Sequence, residues 1–372
     1  MHFPGKFRLI AAILLAALLF SVFTVFVFSQ QPLQVSARGA ALYSPDTGRF
    51  LYEKNGDTRY PMASTTKIMT ALVAAEMGEL SEKIRIPREA TGIEGSSLYL
   101  KEGEVLTLGE LLYGLMLRSA NDAATAIAIA LCGSVCAFAE KMNEKAIALG
   151  LANTHFENPH GLDGEAHYTT AKDLAIIGAA AIQNETVRTL GSTYKTVIGE
   201  GESARLIVNH NKLLRSYEGA IGLKTGFTKK CGRCLVGAAE RDGVTLVSTT
   251  LSAPDDWADH KRMLDYGFSS LTCYARLLPE EFQQQITVLG GKKSTLTVTN
   301  EEGFSLVDTA GLSPLTVRVC LNQAAVAPIK KGEALGQLLY LRDGEVVHTV
   351  LLRASEDAQA APKKRKGFLF FR

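Results

Sequence analysis

The spacing of hydrophobic and polar positions changes three times along the chain, and the changes mark its parts. Residues 9–28, LIAAILLAALLFSVFTVFVF, form one uncharged apolar run behind Lys6 and Arg8. A positive flank followed by such a run reads as an export segment, and this one is long enough to span a bilayer. Val35-Ser36-Ala37 offers a small-residue cleavage site. Residues 1–36 are therefore expected to be a signal peptide or a retained membrane anchor, with the remainder outside the cytoplasm.

From residue 37 the periods are those of a folded domain. GAALYSPDTGRFLYEK, residues 39–54, reads as a hairpin turning at Pro45-Asp46-Thr47-Gly48. A helix follows, opened by Ser64: Met69, Leu72, Val73 and Met77 recur at steps of three and four, and Gly78 caps its end. Residues 107–131 read as two apolar helices broken at RSAND. Residues 135–149 and 170–182 read as further helices, residues 195–252 as strands with a tight turn at Asp242-Gly243, and residues 255–271 as an amphipathic helix. After about 275, short alternating runs separated by Gly, Asn and Asp replace the helical periods. The expected architecture is a mixed α/β domain over 37–272, a small all-β sandwich over 273–356, and a tail over 357–372. In that tail Lys363, Lys364, Arg365 and Lys366 adjoin Phe368, Leu369, Phe370 and Phe371, a composition suited to an anionic membrane surface.

Composition narrows the function only slightly. The chain is 47% hydrophobic and 21% charged, with 40 basic against 38 acidic residues and a net charge of +2. That balance gives no reason to expect a nucleic-acid partner. There are six cysteines. Cys231 and Cys234 form one C-x-x-C, half of a zinc site at most, and no second pair stands at a matching distance. No metal is expected.

The chemistry begins at PMASTTKIMTAL, residues 61–72. Ser64 and Lys67 are three apart and would share a helix face. A serine alcohol needs a neighbouring base, and a lysine can serve when desolvation or a nearby cation lowers its pKa. The first turn of a helix also presents free backbone N–H groups able to hold an oxyanion. The spacing alone is weak, because STYK, residues 192–195, matches it by chance in front of a strand. Two further clusters strengthen it. Ser119-Ala120-Asn121 lies at the break between apolar helices, where polar side chains suit a cleft. Lys224-Thr225-Gly226 lies on a strand that offers a cation, a hydroxyl and an open edge for an extended peptide.

In the order S-x-x-K, S-x-N, K-T-G, the three clusters form the serine-acyltransferase constellation of penicillin-binding proteins and class A β-lactamases. Their spacing resembles that of the D-alanyl-D-alanine carboxypeptidases, the low-molecular-mass penicillin-binding proteins. So do MLRSANDAA, NPHGLDGEAHYTTAKDLA, GLKTGFT and DDWADHKRMLDYGF, and the likeness covers about residues 37–355. The resemblance implies a penicillin-binding/β-lactamase-like transpeptidase fold followed by a β-sandwich, acting on peptidoglycan stem peptides that end in D-Ala-D-Ala and acylated by β-lactams. It implies Ser64 as nucleophile, Lys67 as general base and Ser119 as proton relay. Asn121 would bind the substrate backbone and orient Lys67. Lys224 and Thr225 would hold the terminal carboxylate, with Gly226 at the open edge and the Phe227 N–H completing the oxyanion hole. No cofactor is implied. A rapid β-lactamase is disfavoured, since neither Glu157 nor Glu165 has an Asn four residues on and the second motif has Ala120 where those enzymes carry Asp. His160, within NPHGL, is expected to be a structural loop residue.

Overall fold

The computed structural model describes residues 33–362. The apolar run at 9–28 of the expected export segment and the basic-aromatic tail from residue 363 onward lie outside the described residues.

The hairpin at 39–54 forms as its turn residues suggest, giving β1 (Gly39–Ser44) and β2 (Arg49–Lys54). The main helices are α1 (Lys67–Met77), α2 (Leu108–Leu117), α3 (Asn121–Cys132), α4 (Val135–Ala148), α5 (Ala171–Gln183) and α6 (Glu185–Ser192). The last of these is not among the helices expected from the sequence, although its buried positions, Val187, Leu190 and Gly191, are three and four residues apart. Three long strands follow, β3 (Ala220–Thr228), β4 (Gly232–Arg241) and β5 (Val244–Leu251), and then α7 (Asp256–Ser270). The strands make one antiparallel sheet in the order β2-β1-β5-β4-β3. The β4–β5 turn needs left-handed backbone at both Asp242 (φ 48°) and Gly243 (φ 78°), which is why the Asp-Gly pair marks it.

Alternation along the strands assigns a helix to each face of this sheet. Leu42 and Leu246 meet Gly267 of α7, while Val236 and Val247 meet Gly178 of α5. Glycine at both crossings lets helix and sheet approach closely. On the α5 side, α1 to α4 complete one large apolar core. This topology leaves β3 at the edge of the sheet, against the start of α1.

Beyond α7 the described residues form only strands and their connections. A ribbon of Leu271–Leu277 with Phe304–Thr309 packs on a six-stranded sheet whose core includes Ile286, Val298, Leu338 and Leu352.

Candidate active site

Ser64 does not cap an α-helix. It sits in a 3₁₀ turn, Ala63–Thr66, that leads into α1 at Lys67. The turn keeps Ser64 and Lys67 on one side, and Lys67 Nζ lies 3.0 Å from Ser64 Oγ. The two residues differ in exposure. Ser64 lines an open cleft, while Lys67 is fully buried at the start of α1.

The surroundings of Lys67 decide what its amine can do. It donates to Asn121 Oδ1 at 2.7 Å and to the backbone carbonyl of His160. Both are acceptors only. Asn121 Nδ2 donates in turn to Glu94 O, which settles the orientation of the amide. Two N–H bonds of Lys67 are thus committed, and the remaining position on Nζ faces Ser64 Oγ. In the ammonium form that position is a donor; in the neutral amine it is the lone pair. Burial, and then the charge of Lys224, pull the Lys67 pKa well below the lysine range, against a smaller opposing pull from Asp122. The arrangement therefore favours a neutral amine whose lone pair points at the serine.

Ser119 stands between α2 and α3 with left-handed backbone, φ 61°. A non-glycine residue held there is strained, and such strain gathers at functional sites. Asp122, the second residue of α3, holds the segment 97–100. Its buried carboxylate accepts from Ser97 Oγ at 2.6 Å, Leu98 N at 3.0 Å and Leu100 N at 3.1 Å.

Lys224, Thr225 and Gly226 run along β3, opposite Val236, Leu235 and Cys234 of β4. Gly226 is needed for close approach: a Cβ there would lie 3.1 Å from the backbone nitrogens of both Ser64 and Thr65. Thr225 and Phe227 line the cleft. Lys224 is buried, donates to Thr225 O at 3.1 Å, and has its pKa lowered by burial to about 7.

The cleft has a volume of about 480 Å³ and is lined by Ser64, Ser119, Thr225, Gly226 and Phe227, among others. The sequence-expected residues thus gather in one place, with Lys67, Asn121 and Lys224 just beneath the surface. The copy of S-x-x-K at 192–195 does not join them. Ser192 ends α6 and Lys195 begins a strand, so the two lie in different elements.

Sequence reasoning missed the His160 carbonyl as a partner of Lys67, since a backbone group leaves no mark in side-chain patterns. It also missed His167. Glu157 N donates to His167 Nδ1 at 3.0 Å, so the proton is on Nε2 and is donated to Thr66 Oγ1, 2.8 Å away. Thr66 Oγ1 passes its own proton to Ala63 O. This chain of bonds braces the serine turn from below. Burial lowers the His167 pKa to about 4 and the His160 pKa to about 3, so both rings are neutral near pH 7. Cys231, in the turn between β3 and β4, and Cys234, on β4 opposite Gly226, are buried thiols. Among the described residues no three His, Cys, Asp or Glu side chains converge as metal ligands.

Comparison with known proteins adds a second line of argument. Residues 26–255 match the family model described as D-alanyl-D-alanine carboxypeptidase, and residues 280–360 match that of the penicillin-binding protein 5 C-terminal domain. The D-alanyl-D-alanine carboxypeptidase DacF of Bacillus subtilis is 32% identical over 381 residues, covering 98% of this chain and 96% of the relative. The D-alanyl-D-alanine carboxypeptidase of Streptomyces sp. strain K15 is 38% identical over 256 residues, covering 63% of this chain and 88% of the relative. Among solved structures, penicillin-binding protein 5 of Haemophilus influenzae superposes with a TM-score of 0.65 at 26% identity, over 88% of this chain and 99% of that one.

Proposed function

The chain belongs to the D-alanyl-D-alanine carboxypeptidase family, and from that premise we propose how its residues divide the work of this serine peptidase. The substrate is a peptidoglycan stem peptide ending in D-Ala-D-Ala, and β-lactams acylate the same serine. The observation that carries the assignment is the Lys67 amine, with two hydrogens committed to Asn121 and His160 and its remaining position aimed at Ser64.

Neutral Lys67 takes the Ser64 hydroxyl proton as Oγ attacks the carbonyl carbon between the two alanines. The negative charge developing on the carbonyl oxygen is held by the backbone N–H groups of Ser64 and Phe227, each worth about 3 kcal/mol in such a site. Gly226, without a side chain, lets β3 bring these donors together. Lys67 gives the serine proton on through Ser119 to the departing amine, the C–N bond breaks, and D-alanine leaves with Lys67 neutral again. Water then attacks the ester, giving its proton to Lys67, which passes it to Ser64 Oγ as the ester bond breaks, so that the free serine and the neutral lysine are both regenerated. Asn121 holds the substrate backbone and the Lys67 amine at once. Lys224 and Thr225 receive the terminal carboxylate. A β-lactam follows the acylation half, but its opened ring keeps the leaving group attached.

The catalytic unit works outside the cytoplasm, beside the membrane. Support comes from the uncharged run at 9–28 behind two basic residues and from the basic-aromatic tail. Protease digestion of intact cells against lysed cells checks this: protection in intact cells would place the domain on the wrong side.

D-alanine release from a peptide ending in D-Ala-D-Ala, wild type against Ser64→Ala, tests the chemistry. Release should vanish in the variant, together with the covalent penicillin adduct. Release that survives in Ser64→Ala would overturn the assignment.

A further inference from the structure

The cleft contains a cation that the three motifs do not include. Arg233 on β4 pairs directly across from Phe227 on β3, so the two side chains stand on the same face of the sheet. Arg233 lines the same cleft as Ser64, Ser119 and Thr225, with Asp256 and Trp257 beside it. Its Nε and Nη2 both donate to Asp256 Oδ1, at 3.0 and 2.8 Å. Asp256 is almost fully buried at the start of α7, whereas the arginine side chain is 45% exposed. One edge of the guanidinium is therefore pinned to the protein, and the other faces the cleft.

The pinned pair has a chemical use. A guanidinium stays charged at any working pH and presents its donors in a flat fork that fits a carboxylate. Lys224 lacks both properties: it is buried beneath the cleft surface, and burial brings its titration to about pH 7. The permanent positive charge on the wall beside Thr225 is that of Arg233.

We propose that Arg233, oriented by Asp256, is a substrate-binding residue that anchors the terminal carboxylate of the stem peptide together with the Thr225 hydroxyl. The proposal rests on the carboxypeptidase reading and redistributes one of its roles. Recognition of the substrate's free C-terminus then falls largely to Arg233 rather than to Lys224, which lies buried beneath the cleft surface.

The test compares two peptides that differ only at the C-terminus: one ends in D-Ala-D-Ala with a free carboxylate, the other in the corresponding amide. The full chain, Arg233→Gln, Arg233→Lys and Asp256→Asn are assayed for release of D-alanine or its amide, and kcat and KM are separated. The free-carboxylate peptide should lose about 10- to 100-fold in kcat/KM in Arg233→Gln, mostly through KM, as expected when a hydrogen bond to a charged group is removed. The preference for carboxylate over amide should collapse with it. Arg233→Lys should restore part of the preference, and Asp256→Asn, which keeps the guanidinium but frees it, should fall between. A purely structural ion pair would lower both peptides together, so an unchanged preference in Arg233→Gln and Asp256→Asn overturns the proposal. Absence of release by the wild type would instead overturn the carboxypeptidase reading. If Arg233→Gln does not fold, the ratio in Arg233→Lys and Asp256→Asn decides the matter in the same way.

Discussion

Asn121 Oδ1 accepts a hydrogen bond from Lys67 Nζ at 2.7 Å, while the other end of the same amide donates to Glu94 O. The amide is thereby fixed as an acceptor towards the lysine, and a neutral acceptor does not favour the ammonium form as a carboxylate would. Replacing Asn121 by Asp should bind the lysine proton more tightly. Acylation by penicillin at neutral pH is expected to fall about 10- to 100-fold, roughly one to two units of lysine titration. The rate should recover as pH is raised. A loss that persists at alkaline pH would mean that Asn121 acts on the substrate alone and not through Lys67.

The two buried lysines also shape stability. In the folded chain Lys224 titrates near 7, against an ordinary lysine value of 10.5, and Lys67 is lowered as well. Between about pH 7 and 10.5 the unfolded chain holds a proton on residue 224 that the folded chain has released. Stability therefore rises with pH across that window and is lowest below it, where folding must bury a charge. Lys224→Met should flatten the rise, measured as the urea midpoint between pH 7 and 9.5. An identical slope in the variant would show that the lysine is charged in the fold.

Burial of a histidine acts with the same sign on the acid side. His260 is fully buried, with Ser248 Oγ 2.7 Å from Nδ1 and Thr250 Oγ1 3.0 Å from Nε2, and burial lowers its pKa to about 3. Below pH 6.5 the unfolded chain gains a proton here that the native chain refuses until about pH 3. The contribution to stability is thus lost as pH falls through this window, by about 1.4 kcal/mol per unit at most. His260→Gln should be less stable at pH 7 yet show a shallower acid limb in thermal melts. An acid limb as steep as that of the wild type would assign the loss to other groups.

Much of the fold is legible in the sequence because the helices and strands of the α/β region are strongly periodic and their breaks carry Gly, Asn or Asp. The nucleophile's own setting is not. Ser64 reads as a helix start, yet it lies in a 3₁₀ turn, with Ala63 at φ 48° and the α-helix beginning only at Lys67. That geometry is imposed by tertiary contacts, through Gly161 against Ala63 and His167 against Thr66, which no local propensity encodes. The same holds for Asp256, which reads as an ordinary helix-start carboxylate until Arg233 is brought to it from another element.

Residues at the expected cleavage site are part of the fold. Asp259 is fully buried, and its carboxylate accepts from Ser36 N at 2.8 Å, Ser36 Oγ at 2.7 Å and Ala37 N at 3.0 Å, besides Arg262. A chain beginning at Arg38 would leave that buried carboxylate short of three donors, at a cost of at least about 1–3 kcal/mol. Cleavage ahead of Val35 keeps them. The protein isolated from cells, if it is cleaved here, should therefore retain Ser36 and Ala37 in mass spectrometry, and a variant starting at Arg38 should melt at lower temperature. An N-terminus at Arg38 with unchanged melting would refute this.

Two glycines hold the cleft together for different reasons, and alanine should separate them. Gly161 has φ 88°, and a Cβ on it would fall 2.0 Å from Ala63 O. Neither the backbone angle nor the space admits a side chain, so Gly161→Ala must displace the loop that carries the His160 carbonyl or the turn that carries Ser64. Stability should drop by about 2 kcal/mol or more, and acylation with it. Gly226 has ordinary strand geometry, and its Cβ would meet Ser64 N and Thr65 N at 3.1 Å. Shifting an edge strand outward by a few tenths of an ångström relieves that contact, so Gly226→Ala should cost under about 1 kcal/mol of stability. The same shift moves the Phe227 N–H away from the carbonyl oxygen it is proposed to hold. Misplacement of this kind should lower acylation by roughly 100-fold. Chemical denaturation and penicillin acylation, run on both variants, check the contrast. A Gly226→Ala enzyme that acylates at the wild-type rate would remove β3 from the oxyanion site.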